Sequence, residues 1–271
     1  MVSGAGLKTV AAAGVLAAAV GGAVIARADD PSGRAAQAEG GLALSTTTGT
    51  TSSLKVDRLA QAGATDKLKV ANNSKKTLTV TVTARPWTQS ASGVVSPNRR
   101  ATLGGVTVDA PSFALAPGAS KDVTVTLGSV PSTGYLYGAL EVVGVPADIA
   151  KAKGIVTGYR LLDTLRYNAA TATYGLKAGA AKLSGTGTSR VLGLSVKNTG
   201  NTIAPVTGKV TLKSPLGTKN GTLKATRILP GKSVSIALAT ASSLRAGKYT
   251  ATVTLIQNKQ KTTLTKKITV R

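Results

Sequence analysis

The chain has 271 residues, with 34 Lys or Arg against 10 Asp or Glu, and a formal net charge of +24. It contains no histidine and no cysteine. That removes the commonest general base and metal ligand and excludes thiol nucleophiles, zinc sites, disulfides and a lipid-bearing cysteine. The few carboxylates show no paired spacing, so the composition reads as a non-enzyme with no cofactor and no bound metal.

The N-terminus carries Lys8, then an apolar run over 9–25, then Ala26-Arg27-Ala28 ahead of Asp29 and Asp30. This is the pattern of a secretory signal peptide, residues 1–28, cleaved after Ala28. It predicts a secreted protein, extracellular or associated with the cell wall. Residues 29–53 are small and polar and read as a low-complexity linker, in which 42–45 ("LALS") is a candidate first edge strand.

From Leu54 the texture changes. "LKVDRL", "KLKVAN", "TLTVTVTARPW", "GGVTVDA", "KDVTVTLG", "YLYGALEVVG" and "GIVTGYRLLDTLRY" are short, rich in Val and Thr, and largely alternating. Period 2 with turn residues between runs predicts antiparallel strands with one buried face. "PADIAKAKG" (146–154) reads as a helical turn or loop. About seven strands in about 115 residues have the rhythm of an immunoglobulin-like sandwich, assigned to residues 54–168. The rhythm returns in "ATYGLKA", "RVLGLSVKN", "PVTGKVTL", "TLKATRIL", "SVSIALA", "KYTATVTL" and "TTLTKKITV", which assigns a second sandwich to 169–271.

The two halves share phrases. "LAPGASKDVTVTL" (115–127) is echoed by "ILPGKSVSIAL" (228–238), and "LKVANNSKKTLTVTV" (68–82) by "LSVKNTGNTIAPVTGKVTL" (194–212). Pro117 to Gly134 is 17 residues, as is Pro230 to Gly247. Recurrent phrases in one order mark an internal duplication of a domain-sized unit. The expected fold class is all-β, two tandem immunoglobulin-like antiparallel sandwiches after the leader and linker.

The opening strands and Asn-rich turn of 54–87, the proline-preceded strand and Pro-Gly turn of 110–127, and the pair "GYLYGALEVVGVP" and "GYRLLDTLRYNAA" resemble the N-terminal domain of periplasmic pilus-assembly chaperones. The resemblance implies that the last strand of this domain completes a partner's sheet. It also implies an anchor for a partner's terminal carboxylate, an arginine on the first strand and a lysine on the last. Here Arg58 is displaced by two, Ala60 is in register and Thr164 takes the lysine position, so that anchor is expected to be absent. The two-sandwich plan, with its "KNTGNT" turn, also resembles Gram-positive surface proteins that bind peptidoglycan and interact with WxL-type proteins.

On the last strand of the first sandwich, Ile155, Tyr159, Leu161, Asp163 and Leu165 are expected to share a face, which makes them candidates for contact with a protein partner. The alternative is an internal strand whose apolar face packs in its own core. Glu141, inside an alternating strand, is expected to point outward. Trp87, Tyr135 and Tyr137 are expected to pack in the core, and Tyr249 to be a core or corner tyrosine.

Charge is uneven. Residues 29–163 hold 14 basic and 10 acidic residues, net +4, whereas 164–271 hold 18 basic residues and no acid, net +18. Such a domain attracts polyanions, and an exported one meets anionic wall polymers and lipid surfaces first. Lys209, Lys213, Lys219, Lys224, Lys259, Lys261, Lys266 and Lys267 are the candidate contacts. Aromatic platforms are too few for nucleic acid to be a favoured partner. The composite expectation is a non-enzymatic envelope protein that binds a protein segment through its first sandwich and an anionic wall polymer or membrane surface through its second. The alternatives are a structural or adhesive surface module and a pilus-type assembly chaperone.

Overall fold

The computed structural model describes residues 41–46, 55–186 and 189–270. The leader over 1–28 and positions 29–40 and 47–53 of the expected linker lie outside the described residues. Apart from short 3-10 turns at Ile149–Lys151 and Ala241–Ser243, the described elements are strands.

The first half contributes β1 (Leu42–Thr46), β2 (Lys55–Leu59), β3 (Ala64–Asn72), β4 (Leu78–Gln89), β5 (Val95–Pro97), β6 (Val106–Val108), β7 (Ser112–Leu115), β8 (Ser120–Leu127), β9 (Leu136–Pro146) and β10 (Tyr159–Asn168). One sheet runs β1-β3-β8-β6 and the other β2-β10-β9-β4-β5, with β7 also on β4. The second half contributes β11 (Leu176–Ser184), β12 (Val191–Asn198), β13 (Pro205–Ser214), β14 (Gly217–Arg227), β15 (Ser233–Thr240), β16 (Gly247–Gln257) and β17 (Gln260–Val270). Its sheets run β11-β12-β15 and β14-β13-β16-β17.

The halves superpose in topology. β11-β12-β15 repeats β1-β3-β8, and β14-β13-β16-β17 repeats β7-β4-β9-β10. Both are immunoglobulin-like sandwiches. The Pro-Gly turns that suggested duplication place Gly118 at φ +72 and Gly231 at φ +75, a left-handed conformation that glycine adopts without a Cβ clash.

Each pair of sheets closes over its own core. Leu68, Val80, Val125, Leu140 and Leu165 meet in the first; Leu194, Val210, Ile236, Val253 and Leu255 meet in the second. Each fully buried Leu contributes about 1.5–3 kcal/mol relative to exposure. β1 falls inside the stretch expected as linker. Leu42 and Leu44 alternate inward and are fully buried, and this burial recruits a segment whose flanks are small and polar. The 3-10 turn at Ile149–Lys151 sits where the sequence predicts a helical turn or loop.

Among the described strands, β5, β6 and β2 have no counterpart in the second half. β2 is the one that reaches β10. It lies parallel to β10 over a short register, from Thr164↔Lys55 to Asn168↔Leu59.

Candidate partner-binding edge

β10 is paired to antiparallel β9 along nearly its whole length, from Tyr159↔Gly144 to Tyr167↔Leu136. On its other side β2 covers only Thr164–Asn168. Among the described residues, no strand pairs with 160–163 on that side. The first half of β10 is therefore a sheet edge and the second half an interior strand.

The side chains of β10 divide by alternation. Tyr159, Leu161, Asp163, Leu165 and Tyr167 face inward. Leu165 and Tyr167 are fully buried, whereas Tyr159 and Leu161 are half-buried at the rim of the core. This corrects the expected partner face. Leu165 and Asp163 are committed to the interior, because the sheets close over them. Ile155 does not belong to β10; it lies in the irregular segment before it, between Gly154 and Gly158, and is 86% exposed.

Asp163 is the unusual member. It is 3% exposed, and its Oδ1 is buried without a hydrogen-bond partner. Burial pushes its carboxyl up to about 7, the backbone N–H of Thr164 opposes the rise, and the charge of Asp66 adds to it. Asp66 is raised as well, by burial that Arg58 partly offsets. Tyr167 donates its phenol to Asp66 (3.4 Å), and Arg58 lies 3.5 Å from the same carboxylate. Burial first, then Asp66, raises the Tyr167 phenol.

The outer face carries a different cluster. Glu141 on β9 lies on this face, as alternation predicts, yet is only 5% exposed. Arg85 (3.1 Å), Arg99 (3.2 Å) and Arg160 (2.5 Å) converge on it, and their stems cover it. Burial pushes Glu141 up, but Arg160, Arg85 and Arg99 outweigh it and hold the carboxyl below its usual range. Nearby, Lys55 stands beside Thr164 and Asp57 beside Arg166. Asp57 pairs with both Lys55 and Arg166 (3.8 Å to the latter). Two cations thus occupy the region where the sequence predicted a missing anchor; the residue in ladder register there is Lys55, and Ala60 lies beyond the ladder, donating its N–H to Asn168 O (2.8 Å).

The end of this face meets the second sandwich. Tyr137 stacks on Tyr135 with ring centroids 5.2 Å apart and donates its phenol to Asn201 O (3.0 Å). Burial, the main cause, pushes that phenol up to about 12. Tyr137 is buried, as expected, but it lies outside the main core cluster and its phenol serves the junction. Gln89, at the end of β4, donates to Arg227 O (2.8 Å) and accepts from Leu229 N–H (2.9 Å). Ser235 N–H donates to Ala91 O (2.7 Å). Tyr249, expected as a core or corner residue, is buried and donates to Arg245 O (2.9 Å).

The candidate lysines do not form one patch. Alternation turns Lys209, Lys213, Lys261 and Lys267 to the solvent face of β13 and β17. Exposed Lys224 lies near the β13–β14 bulge. Lys219 is on the opposite side of β14 and donates to Ser243 O (3.1 Å). Lys266 is half-buried opposite Ala251, and Lys259 sits in the β16–β17 turn at φ +68. Lys248, on the same solvent face, was not singled out from sequence; the inward Tyr249 beside it is the signal that places it there.

No family model matches the chain, and no curated protein matches it. Solved structures do. A chain of a chaperone–tip adhesin complex of CFA/I fimbriae biogenesis is 15% identical with a TM-score of 0.49, covering 82% of this chain and 98% of that one. The class 5 fimbriae chaperone CfaA is 15% identical with a TM-score of 0.48 and the same coverage. A chain of the CsuC–CsuE chaperone–tip adhesion subunit complex from Acinetobacter baumannii is 12% identical with a TM-score of 0.43, covering 78% of this chain and 94% of that one. Among the described residues no helix is long and apolar enough to cross a membrane.

Proposed function

We propose that this is an exported, non-enzymatic binding protein that captures an extended protein segment along the first half of β10, in the manner of an assembly chaperone. The observation that carries the reading is the short overlap of β2, which covers Thr164–Asn168 and stops before Asp163. A partner strand laid on 160–163 gains main-chain hydrogen bonds, the ordinary source of affinity in strand addition. Ile155 and the half-buried Tyr159 and Leu161 supply the apolar contacts, while Leu165 stays in the core.

The two edges of the sheet β14-β13-β16-β17 are guarded in a way the β10 edge is not. Lysines guard edge strands against pairing. β17 carries Lys261, Lys266 and Lys267, and β14 carries Lys219 and Lys224. The β10 edge has one cation, Arg160, and it is turned away onto Glu141. The sequence resemblance to pilus-assembly chaperones points to the same strand.

The chain lacks cysteine, so a single introduced residue reports cleanly. A photoreactive residue at Ile155, compared with one at Leu216, which is also exposed but lies on the second sandwich, tests the reading in the native envelope. The expected result is one cross-linked partner at position 155, joined through a segment with alternating apolar residues, and none at 216. Equal cross-linking at both positions, or none at 155, contradicts it.

A further inference from the structure

The solvent face of the sheet β14-β13-β16-β17 is built from very few residue types. Inward Val210 and Leu212 on β13, and Ala251, Val253 and Leu255 on β16, fix what points out. The register then aligns the outward residues in ranks across all four strands. One rank is Thr222–Lys209–Thr254–Thr263. The next is Asn220–Thr211–Thr252–Thr265, and the third Thr218–Lys213–Thr250–Lys267. Lys248 and Lys261 flank these ranks at the two ends of β16 and β17.

These ranks hold no acid, no aromatic, no arginine and no large aliphatic side chain. Threonine suits the outer face of any sheet; the missing counter-charge is what sets this one apart. On the first sandwich, Lys69 stands directly opposite Asp122 across β3 and β8. On the second, residues 164–271 contain no carboxylate side chain, and the ion pairs of Asp57, Asp66, Asp148 and Glu141 lie in the first half. Lys209, Lys213 and Lys267 thus have no neutralising partner in their own sandwich.

We propose that this face binds a linear phosphate-bearing polymer. Lysine ammonium acts as a point charge toward phosphate, and threonine hydroxyls donate to its oxygens. Adjacent strands lie about 4.8 Å apart and alternate residues about 6.8 Å along a strand, so a chain crossing the ranks meets a polar side chain at every step. Thr211 donates to Asn220 Oδ1 (2.8 Å) and the Thr254 and Thr263 hydroxyls share a hydrogen bond (3.2 Å), bonds that a phosphate would exchange for its own. Carboxylate polymers are the weaker fit, because the planar fork that grips carboxylates belongs to arginine. Nucleic acid would need stacking platforms. A lipid surface would need apolar side chains to bury at the headgroup boundary. The proposal is independent of segment capture, which uses the other sandwich.

The test uses the full chain and fluorescent long-chain inorganic polyphosphate at about 0.1 M salt, where the Debye length is ~10 Å. The triple variant K209Q/K213Q/K267Q is expected to bind about tenfold or more weakly. A control, K177Q/K182Q/K232Q, removes the same charge from exposed positions off this face and is expected to lose about threefold at most. Polyglutamate and phosphatidylglycerol vesicles are expected to bind more weakly than polyphosphate. Equal losses in the two triple variants mean bulk charge and overturn the proposal. So does absence of polyphosphate binding, or equal or tighter binding of polyglutamate or of the vesicles.

Discussion

Asn72 and Asn198 do the same work in the two sandwiches. Each is fully buried at the end of a strand, β3 or β12. The Asn72 amide donates to Lys76 O (2.8 Å) and Leu115 O (2.8 Å); that of Asn198 donates to Thr202 O (2.6 Å) and Ile228 O (2.7 Å). Each side-chain oxygen accepts the N–H two residues on, Ser74 or Gly200, at 2.9 Å. Each main-chain carbonyl accepts the N–H of the turn glycine, Gly118 (2.8 Å) or Gly231 (2.9 Å). One side chain thus ties its own turn to the Pro-Gly turn that launches the strand beside it.

Asn72→Ala and Asn198→Ala should each destabilise the sandwich that contains them by about 1–3 kcal/mol, since the buried carbonyl of Leu115 or Ile228 loses its donor. Urea unfolding followed by hydrogen exchange separates the halves. A loss spread equally over both sandwiches from either single change contradicts the assignment.

Asp163 should make stability fall as pH rises. Its carboxyl is raised in the folded state, so the native protein favours the protonated form. Stability is fully present below pH ~4 and declines up to about pH 7, where the folded group ionises. Asp66, Tyr167 and Arg58 are the titratable groups around it, and the charge on Asp66 deepens the effect. Asp163→Asn should therefore stabilise by on the order of 2 kcal/mol at pH 8 and change little at pH 4. Thermal melts at the two pH values decide it; an equal effect at both contradicts the buried-carboxylate account.

Glu141 has the opposite sign. Its carboxyl is lowered in the fold, so its contribution is present above the ordinary glutamate range and is lost as pH falls. Glu141→Gln leaves Arg85, Arg99 and Arg160 facing one another and should destabilise by about 1–3 kcal/mol at pH 7, less at high salt. A Tm that is unchanged and insensitive to salt would show that the arginines need no counter-charge.

Gln89 and Tyr137 should couple the halves. Gln89→Ala with Tyr137→Phe removes three cross-junction hydrogen bonds, each contributing about 1 kcal/mol. Calorimetry should then resolve two transitions set farther apart than in the parent. Transitions that keep their spacing indicate that the junction is held by other contacts.

Much of this was legible in the chain. Alternation around Val80, Val125 and Leu194 set the inward faces, and the repeated Pro-Gly phrases marked equivalent turns. Other features depend on meetings that no local pattern carries. Glu141 does lie on the outer face, as alternation predicts, but Arg99 reaches it from a loop. β5 is three residues long, too short for a period to register. β1 is the edge strand that 42–45 suggested, although only Leu42 and Leu44 turn inward and its flanks carry no pattern. The partial cover of β10 by β2 is a matter of register, and a run of alternating residues says nothing about where its neighbour stops. The threonine and lysine ranks likewise needed the register, although the missing acids were plain from composition.

Segment capture is tested most directly by hydrogen exchange on the protein with and without the partner segment identified by cross-linking at Ile155. The amides of 160–163 should gain protection on binding, while those of 165–167, already flanked by β9 and β2, stay unchanged. Protection that appears instead along β17 or β14, with none at 160–163, would contradict the account.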